Sequence, residues 1–176
     1  MRIKSFILER YRAFKERQRI ELSPVTVVIG KNGSGKSVLS RLPLLLSRSL
    51  SDSPDGPVDL SAGGIEHAGA FADLIHDRSA LPFLLGVEIG EDDKTLGFET
   101  TLQYVNEKRW LAISRFRLWN ESGDLLELNL ANDEDLTSPA PTYGVSGPGL
   151  DEKLVQPEFK GLFPRNCRPD DVASTL

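Results

Sequence analysis

Residues 25–37 read VTVVIGKNGSGKS, an apolar run followed by a glycine-rich loop. Residues 25–29 are mostly β-branched and have no polar face, which predicts a strand buried on both sides in the middle of an α/β sheet. Residues 30–37 match the pattern G-x-x-x-x-G-K-[ST] at every fixed position. A buried strand before this pattern and a helix after it are the context expected of a phosphate-binding loop.

Each residue type in the loop has a physical reason to be there. The glycines let successive backbone N–H groups turn towards phosphate oxygens, and the following helix directs its positive end at the same anion. Lys36 is predicted to contact the β- and γ-phosphates, and the Ser37 hydroxyl is predicted to bind Mg²⁺. The predicted cofactors are ATP and Mg²⁺, and the predicted nucleotide-binding residues of the loop are Gly30, Asn32, Gly33, Ser34, Gly35, Lys36 and Ser37. GTP is disfavoured because the sequence contains neither N-K-x-D nor D-x-x-G.

Hydrophobic periodicity predicts the elements around the loop. A helix is expected from about residue 35 to 50, with Leu39, Leu42, Leu46 and Leu50 as its buried stripe. Pro43 should kink or split this helix. Two short strands are predicted at residues 2–9 and 19–22, and a short amphipathic helix at residues 71–78.

The rest of the chain divides into two parts. Residues 83–130 alternate between apolar and polar positions and are interrupted by EDDKT, VNEKR and NESGD, which predicts an antiparallel meander of about four strands. Six prolines follow residue 130, where periodicity is weak, so an irregular tail or connection is expected. The predicted domains are a nucleotide-binding core at 1–80, a β-subdomain at 81–130 and the tail at 131–176.

Composition and charge limit the classes of protein to consider. The chain has 176 residues and one cysteine, Cys167, and it has no apolar run long enough to span a membrane. Its first residues are polar and charged, so a signal peptide is not expected there. A cytoplasmic protein without a membrane partner is therefore expected. Residues 1–50 contain eleven Lys/Arg and three Asp/Glu, a net charge of +8. This charge fits contact with nucleic acid, or a bound nucleotide together with solvated surface.

Residues 3–37, IKSFILERYRAFKERQRIELSPVTVVIGKNGSGKS, resemble the N-terminus of ABC-type chromosome-associated ATPases. This group includes the RecF, SMC and OLD-nuclease families and AAA-like prokaryotic ATPases. Tyr11, Arg12 and Phe14 fill an aromatic-basic element of that pattern, and Asn32 fills the Asn of its loop. The resemblance is close over residues 1 to about 50 and looser after that.

The resemblance implies a P-loop NTPase core of the ABC/RecF type, with the antiparallel β-meander as a subdomain. It also implies an ATP-dependent head that forms a homodimer around two nucleotides and acts on DNA, in repair or in anti-phage defence. In such families Arg12 would lie near the phosphates or near bound DNA. The alternative for Arg12 is an exposed cation at the end of a strand.

Two elements of the family pattern are not found in the sequence. An apolar strand ending in Asp-Glu, which would complete the magnesium site and orient water, is absent. Ala70 to Asp73 look like a helix start, and Asp170 and Asp171 do not follow a strand. Residues 60–64, LSAGG, resemble a signature motif but are expected to form a turn, and Gln156 is a weak candidate for a nucleotide-sensing glutamine.

These gaps predict an incomplete domain, the N-terminal portion of such an ATPase, which a partner chain would complete. Two functions remain open at this stage. One is an ATPase module that works on DNA, and the other is a nucleotide-binding regulatory or interaction module that does not hydrolyse ATP alone. A small-molecule kinase would need an acceptor pocket that the sequence does not indicate.

Overall fold

The computed structural model describes residues 2–50, 56–150 and 153–165. Its main element is one antiparallel sheet of eight strands, in the order β2-β1-β3-β4-β5-β6-β7-β8. The strands are β1 (Arg2–Glu9), β2 (Gln18–Glu21), β3 (Phe83–Glu91), β4 (Lys94–Val105), β5 (Trp110–Asn120), β6 (Gly123–Leu130), β7 (Tyr143–Ser146) and β8 (Lys153–Val155). A short hairpin, β9 (Phe159–Lys160) and β10 (Phe163–Pro164), and one helix, α1 (Lys36–Ser49), pack with this sheet.

The strands β3 to β6 confirm the predicted four-stranded meander. The meander is not a separate unit, because β1 pairs with β3 along most of its length. This pairing brings residues 2–9 beside residues 84–90, so the sheet crosses the domain boundary predicted at residue 80. The phosphate-loop region and the meander therefore share one sheet.

One face of the sheet is apolar and forms the core. Register places Phe6, Val87, Phe98, Leu118 and Leu126 opposite one another in five neighbouring strands. Since side chains on a strand alternate between faces, these residues point to the same side. The leucine stripe of α1 belongs to the same core.

The helix α1 forms where the leucine spacing predicts it. Leu42, Leu45 and Leu46 are buried, and Leu39 and Leu50 pack against the core from its edge. The helix continues through Pro43, so the predicted split does not occur. Proline removes one backbone N–H donor, and burial of the leucines on both sides of it holds the helix together.

The prediction of a buried strand at residues 25–29 is wrong for the described structure. These residues form no strand, and the side chains of Val25, Val27 and Ile29 are 82%, 74% and 89% exposed. A strand that is apolar on both faces is buried only when neighbouring strands pair with it and when other elements cover both faces of the sheet. Within residues 2–50, 56–150 and 153–165 no strand pairs with it, so its side chains stay in solvent.

The fold class also differs from the predicted α/β core. All strand pairings in the described part of the chain are antiparallel, and α1 is its one α-helix beside several 3-10 turns. The described structure is thus mostly β-sheet. No helix among the described residues is long and apolar enough to cross a membrane.

Residues 131–150 and 153–165 are more ordered than the predicted irregular tail. The strands β7 and β8 extend the sheet, and Tyr143 is buried, with its hydroxyl donating to the Ile113 carbonyl at 2.5 Å. Burial raises the pKa of Tyr143 well above its usual value. The buried Leu162 donates its backbone N–H to Ser49, the last residue of α1. Cys167, Asp170 and Asp171 lie outside the described residues.

The other face of the sheet carries a network of ion pairs. Glu99 is 2% exposed, and its carboxylate lies 2.5 Å from Arg17 and 3.8 Å from Arg117. Arg117 also pairs with Asp124 at 2.7 Å. Because each buried carboxylate has a cationic partner, this face is polar without leaving a buried charge unpaired.

Glu88 is a second buried carboxylate on this face. Its Oε2 accepts a hydrogen bond from Ser5 at 2.5 Å and lies 2.6 Å from a guanidinium nitrogen of Arg19. Burial opposes the ionisation of Glu88, but the hydrogen bonds from Ser5, Arg19 and Trp119 and the charge of Arg19 outweigh it. The pKa of Glu88 therefore lies below its ordinary value of 4.5.

This lowered pKa predicts acid sensitivity of the fold. The folded state favours the ionised form of Glu88 more than the unfolded chain does. Ionised Glu88 therefore stabilises the fold at pH values above its unfolded pKa. That contribution should disappear as the pH falls below 4.5 and through the folded pKa. We expect the melting temperature of Glu88→Gln to fall less steeply than that of wild type between about pH 6 and pH 3. Equal slopes for the two proteins would contradict this assignment.

Candidate nucleotide-binding site

The glycine-rich loop leads directly into the first turn of α1. Gly33 and Gly35 have φ angles of 81° and 93°, a left-handed conformation that favours glycine. A Cβ atom on Gly35 would lie 3.0 Å from the Phe14 ring and 3.3 Å from the Ala13 Cβ. The loop therefore needs glycine at position 35 for its backbone angle and for its close approach to residues 13 and 14.

Lys36 is the first residue of α1, and its ammonium group folds back over the loop. Its Nζ donates to the Gly30 carbonyl at 2.7 Å and to the Lys31 carbonyl at 2.5 Å. The Ser37 hydroxyl beside it belongs to an exposed residue. An ammonium group held only by loop carbonyls can exchange them for phosphate oxygens, which carry more negative charge.

A wall faces the loop. It is formed by Arg12 and by residues 67–78, which are distant from Arg12 in the sequence. Arg12, just after β1, donates its backbone N–H to Leu74 at 2.8 Å and its guanidinium to the carbonyls of His67 and Asp73. His76 Nδ1 lies 2.7 Å from the Arg12 carbonyl and donates to it, because a carbonyl oxygen only accepts. These bonds fix residues 67–78 against the end of β1.

The loop and this wall border a cavity of about 720 Å³ that is open to solvent. That volume lies within the roughly 300–1,000 Å³ range of small-molecule sites. The cavity is lined by Arg12, Ala13, Asn32, Gly33, Gly35, Lys36, Ser37, Val38, Ala68, Gly69, Asp73, Ile75, Asp77 and Arg78.

Six of the eight predicted site residues line this cavity: Arg12, Asn32, Gly33, Gly35, Lys36 and Ser37. Gly30 and Ser34 do not, and they contact each other instead, since a Cβ on Gly30 would lie 2.5 Å from the Ser34 hydroxyl. Arg12 is half-buried, so it is not the exposed strand-end cation of the alternative interpretation.

Sequence reasoning missed three charged residues of the cavity, Asp73, Asp77 and Arg78. An Arg78 nitrogen lies 2.6 Å from an Asp73 carboxylate oxygen, and the other Asp73 oxygen accepts the Ala70 backbone N–H at 3.1 Å. No sequence motif marks Asp77 and Arg78, and Asp73 was considered only as the end of a magnesium-binding strand. All three reach the cavity through the hydrogen bonds that residues 74 and 76 make with Arg10 and Arg12.

The other motifs considered in the sequence do not supply the groups expected of them, although Asp73 lines the cavity. Ala62–Gly64 form a 3-10 turn, which confirms the turn predicted for residues 60–64. Gln156 lies elsewhere, where its amide donates to the Ala140 carbonyl. Phe71–Leu74 is also a 3-10 turn and not the strand that a magnesium-binding Asp-Glu pair would follow.

The residues of the loop fit a nucleotide better than they fit a metal ion alone. Within the described ranges no group of three His, Cys, Asp or Glu side chains could hold a metal. Mg²⁺ in nucleotide sites takes most of its ligands from phosphates and water, so the Ser37 hydroxyl could complete its coordination once a nucleotide is bound. Asp73 and Asp77 are the carboxylates that line the same cavity.

Much of the positive charge near the N-terminus is held within the fold. Among the eleven Lys and Arg residues of positions 1–50, seven contact carboxylates or carbonyl oxygens. They are Lys4, Arg10, Arg12, Arg17, Arg19, Lys36 and Arg48. Much of this charge is therefore paired within the fold, and Arg12 and Lys36 line the cavity.

A glycine-rich loop at a helix N-terminus, with a lysine in the first turn, is characteristic of P-loop NTPases. The strand that usually precedes such a loop does not form among the described residues. A family model described as an AAA ATPase domain matches residues 1–134, about three quarters of the chain. The chain belongs to this family of ATP-binding, P-loop ATPases, which generally use ATP and Mg²⁺. No curated protein and no solved structure matches the chain.

Proposed function

We propose that this chain binds ATP with Mg²⁺ in the cavity between the glycine-rich loop and the wall at residues 67–78. The observation that carries the proposal is the loop itself: left-handed glycines at positions 33 and 35 lead into α1, with Lys36 at its start. The triphosphate would lie against the loop N–H groups and the helix N-terminus, Lys36 would contact the β- and γ-phosphates, and Ser37 would bind Mg²⁺.

The direct test is a calorimetric titration of the wild-type chain with ATP and Mg²⁺, alongside adenosine. Since the loop recognises phosphate, we expect ATP to bind and adenosine to bind at least about 100-fold more weakly, a difference of roughly 3 kcal/mol. Equal affinities for ATP and adenosine, or no binding of ATP, would overturn the proposal. Phosphate release measured in the same samples reports whether the chain also hydrolyses ATP.

Within the AAA ATPases, the proposal places the chain in the ABC-type group that includes the RecF, SMC and OLD-nuclease families. The support is the aromatic-basic element at Tyr11 to Phe14 together with Asn32 in the loop. A role on DNA, in repair or anti-phage defence, follows from the resemblance alone. Binding of duplex DNA that requires ATP and weakens with salt would support that role.

A second candidate function is a nucleotide-binding module that does not hydrolyse ATP by itself. The observation that favours it is the exposed apolar run at residues 25–29 directly before the loop. In the expected α/β core this run would be a central strand, so a completing partner chain or a second copy would have to cover it. Hydrolysis would then require that partner.

The exposure of this run gives a testable expectation. Replacing Val27 and Ile29 together with lysine should leave the melting temperature of the isolated chain within about 2 °C, because both side chains are already in solvent. Self-association measured by sedimentation should decrease if copies cover the run. A large loss of stability in the isolated chain would show that the run is buried within it and would contradict this second candidate.

A further inference from the structure

The wall opposite the loop ends in a tight turn with an unusual backbone. Asp77 and Arg78 have φ angles of 52° and 49°, a left-handed conformation that is uncommon for residues other than glycine. Hydrogen bonds hold the turn, from the His76 N–H to the Arg10 carbonyl at 2.8 Å and from the Arg78 N–H to the Ile75 carbonyl at 3.1 Å. Strained residues of this kind cluster at ligand-binding sites.

The turn presents the Arg78 side chain to the cavity that Lys36 also lines. The Arg78 side chain is 74% exposed, and its ionic partner is Asp73 at 2.6 Å. An ion pair this exposed is weak and exchanges readily. A guanidinium group binds phosphate and carboxylate groups alike in a bidentate manner, so an incoming phosphate, which carries more negative charge than a carboxylate, can displace Asp73.

We propose that Arg78 binds the terminal phosphate of the nucleotide, exchanging its ion pair with Asp73 for this contact, and so favours ATP over ADP. The inference rests on the nucleotide site proposed above. The terminal phosphate is the most highly charged group of ATP. In a phosphate-binding loop it lies near the lysine, here Lys36, and Lys36 and Arg78 line the same cavity. Arg12 is less suited to this contact because its guanidinium already donates to two carbonyls.

The test compares ATP and ADP affinities, measured by calorimetry with Mg²⁺, for wild type, Arg78→Ala and Arg78→Gly. We expect both variants to lose about tenfold or more in ATP affinity and to keep most of their ADP affinity. Glycine adopts the left-handed angle without strain, so Arg78→Gly should fold at least as well as wild type, which separates lost contact from misfolding. Arg109→Ala is the matched control, because Arg109 is also exposed and left-handed but lies in the β4–β5 turn.

A second variant tests the exchange with Asp73. Asp73→Asn keeps an oxygen for the Ala70 N–H and removes the charge that competes for Arg78. ATP affinity should rise severalfold in this variant, and the rise should shrink when Arg78→Gly is also present, as a double-mutant cycle would measure.

The outcomes separate this inference from the proposal on which it rests. An unchanged ratio of ATP to ADP affinity in Arg78→Gly, with ATP still bound, would overturn the role of Arg78 and leave the nucleotide site intact. If Asp73→Asn raises ATP affinity equally in wild type and in Arg78→Gly, the proposed exchange of Asp73 for the phosphate is wrong. Failure of the wild-type chain to bind ATP would overturn both.

Discussion

Replacing Lys36 with alanine should reduce the affinity for ATP with Mg²⁺ by about 100-fold or more. The Lys36 ammonium group lies over the loop, bonded to the carbonyls of Gly30 and Lys31, and it is the loop cation expected to contact the β- and γ-phosphates. A hydrogen bond between charged groups contributes about 1.5–3 kcal/mol, and each 1.4 kcal/mol changes affinity about tenfold. Loss of the Coulombic attraction to a highly charged anion adds to this.

The same substitution should change the fold very little. Lys36 is the first residue of α1 and is only half-buried, and alanine is the best helix former. Lys153→Ala is the matched control, since Lys153 is an exposed lysine in the edge strand β8. Calorimetry should show near-normal ATP binding for the control and none measurable for Lys36→Ala, with similar melting temperatures. Wild-type affinity in Lys36→Ala would mean that the nucleotide binds elsewhere.

The effect of Lys36→Ala differs in kind from that expected for Arg78. Lys36 lies on the loop and should weaken the binding of both ATP and ADP, because it reaches the β-phosphate that both nucleotides carry. Arg78 lies on the opposite wall and should affect mainly the terminal phosphate. Comparing the two variants with both nucleotides thus maps the direction in which the phosphates lie across the cavity.

Sequence predicted those features that depend on local pattern. The meander follows from the alternation of apolar and polar residues and from turn residues such as Asp92 and Gly123, and the helix after the loop follows from its leucine spacing. The loop residues were marked by a motif with fixed spacing. In each case neighbours within a few residues contain the whole signal.

Sequence could not predict those features that depend on distant partners. The wall of the cavity exists because the His76 ring donates to the carbonyl of Arg12, 64 residues away, and the Arg12 backbone N–H donates to the Leu74 carbonyl. The pairing of β1 with β3 joins the predicted domains across a similar separation. Val27 shows the same dependence on distant partners. The apolar composition around it predicts burial, but Val27 is exposed because no neighbouring strand among the described residues covers it.

The second large effect is expected in the core beneath the sheet. Phe116 on β5 is fully buried, and its ring centroid lies 6.3 Å from that of Phe98, 6.3 Å from that of Phe159 and 5.0 Å from that of Phe163. Phe116→Ala removes these contacts and leaves a cavity, which should lower the free energy of unfolding by about 3–5 kcal/mol. This is a large part of the roughly 5–15 kcal/mol that stabilises an ordinary domain.

The contacts of Phe116 connect the meander to the helix that carries the loop. Phe159 and Phe163 flank Leu162, whose N–H donates to Ser49 at the end of α1 and whose carbonyl accepts the Thr100 hydroxyl at 3.1 Å. Loss of Phe116 should therefore loosen the support of α1, although no atom of Phe116 lines the cavity. Thermal unfolding should show a drop of about 10 °C for Phe116→Ala.

Phe116→Leu is the matched control, because leucine fills most of the same volume and should cost less than about 1.5 kcal/mol. Below its own melting temperature, Phe116→Ala should still bind ATP, and saturating ATP with Mg²⁺ should raise its melting temperature, since a ligand that binds only the folded state stabilises it. Loss of ATP binding while the chain is still folded would mean that the aromatic cluster shapes the site directly. A melting temperature equal to that of wild type would contradict this packing, in which the Phe116 ring holds the β9–β10 hairpin against the sheet.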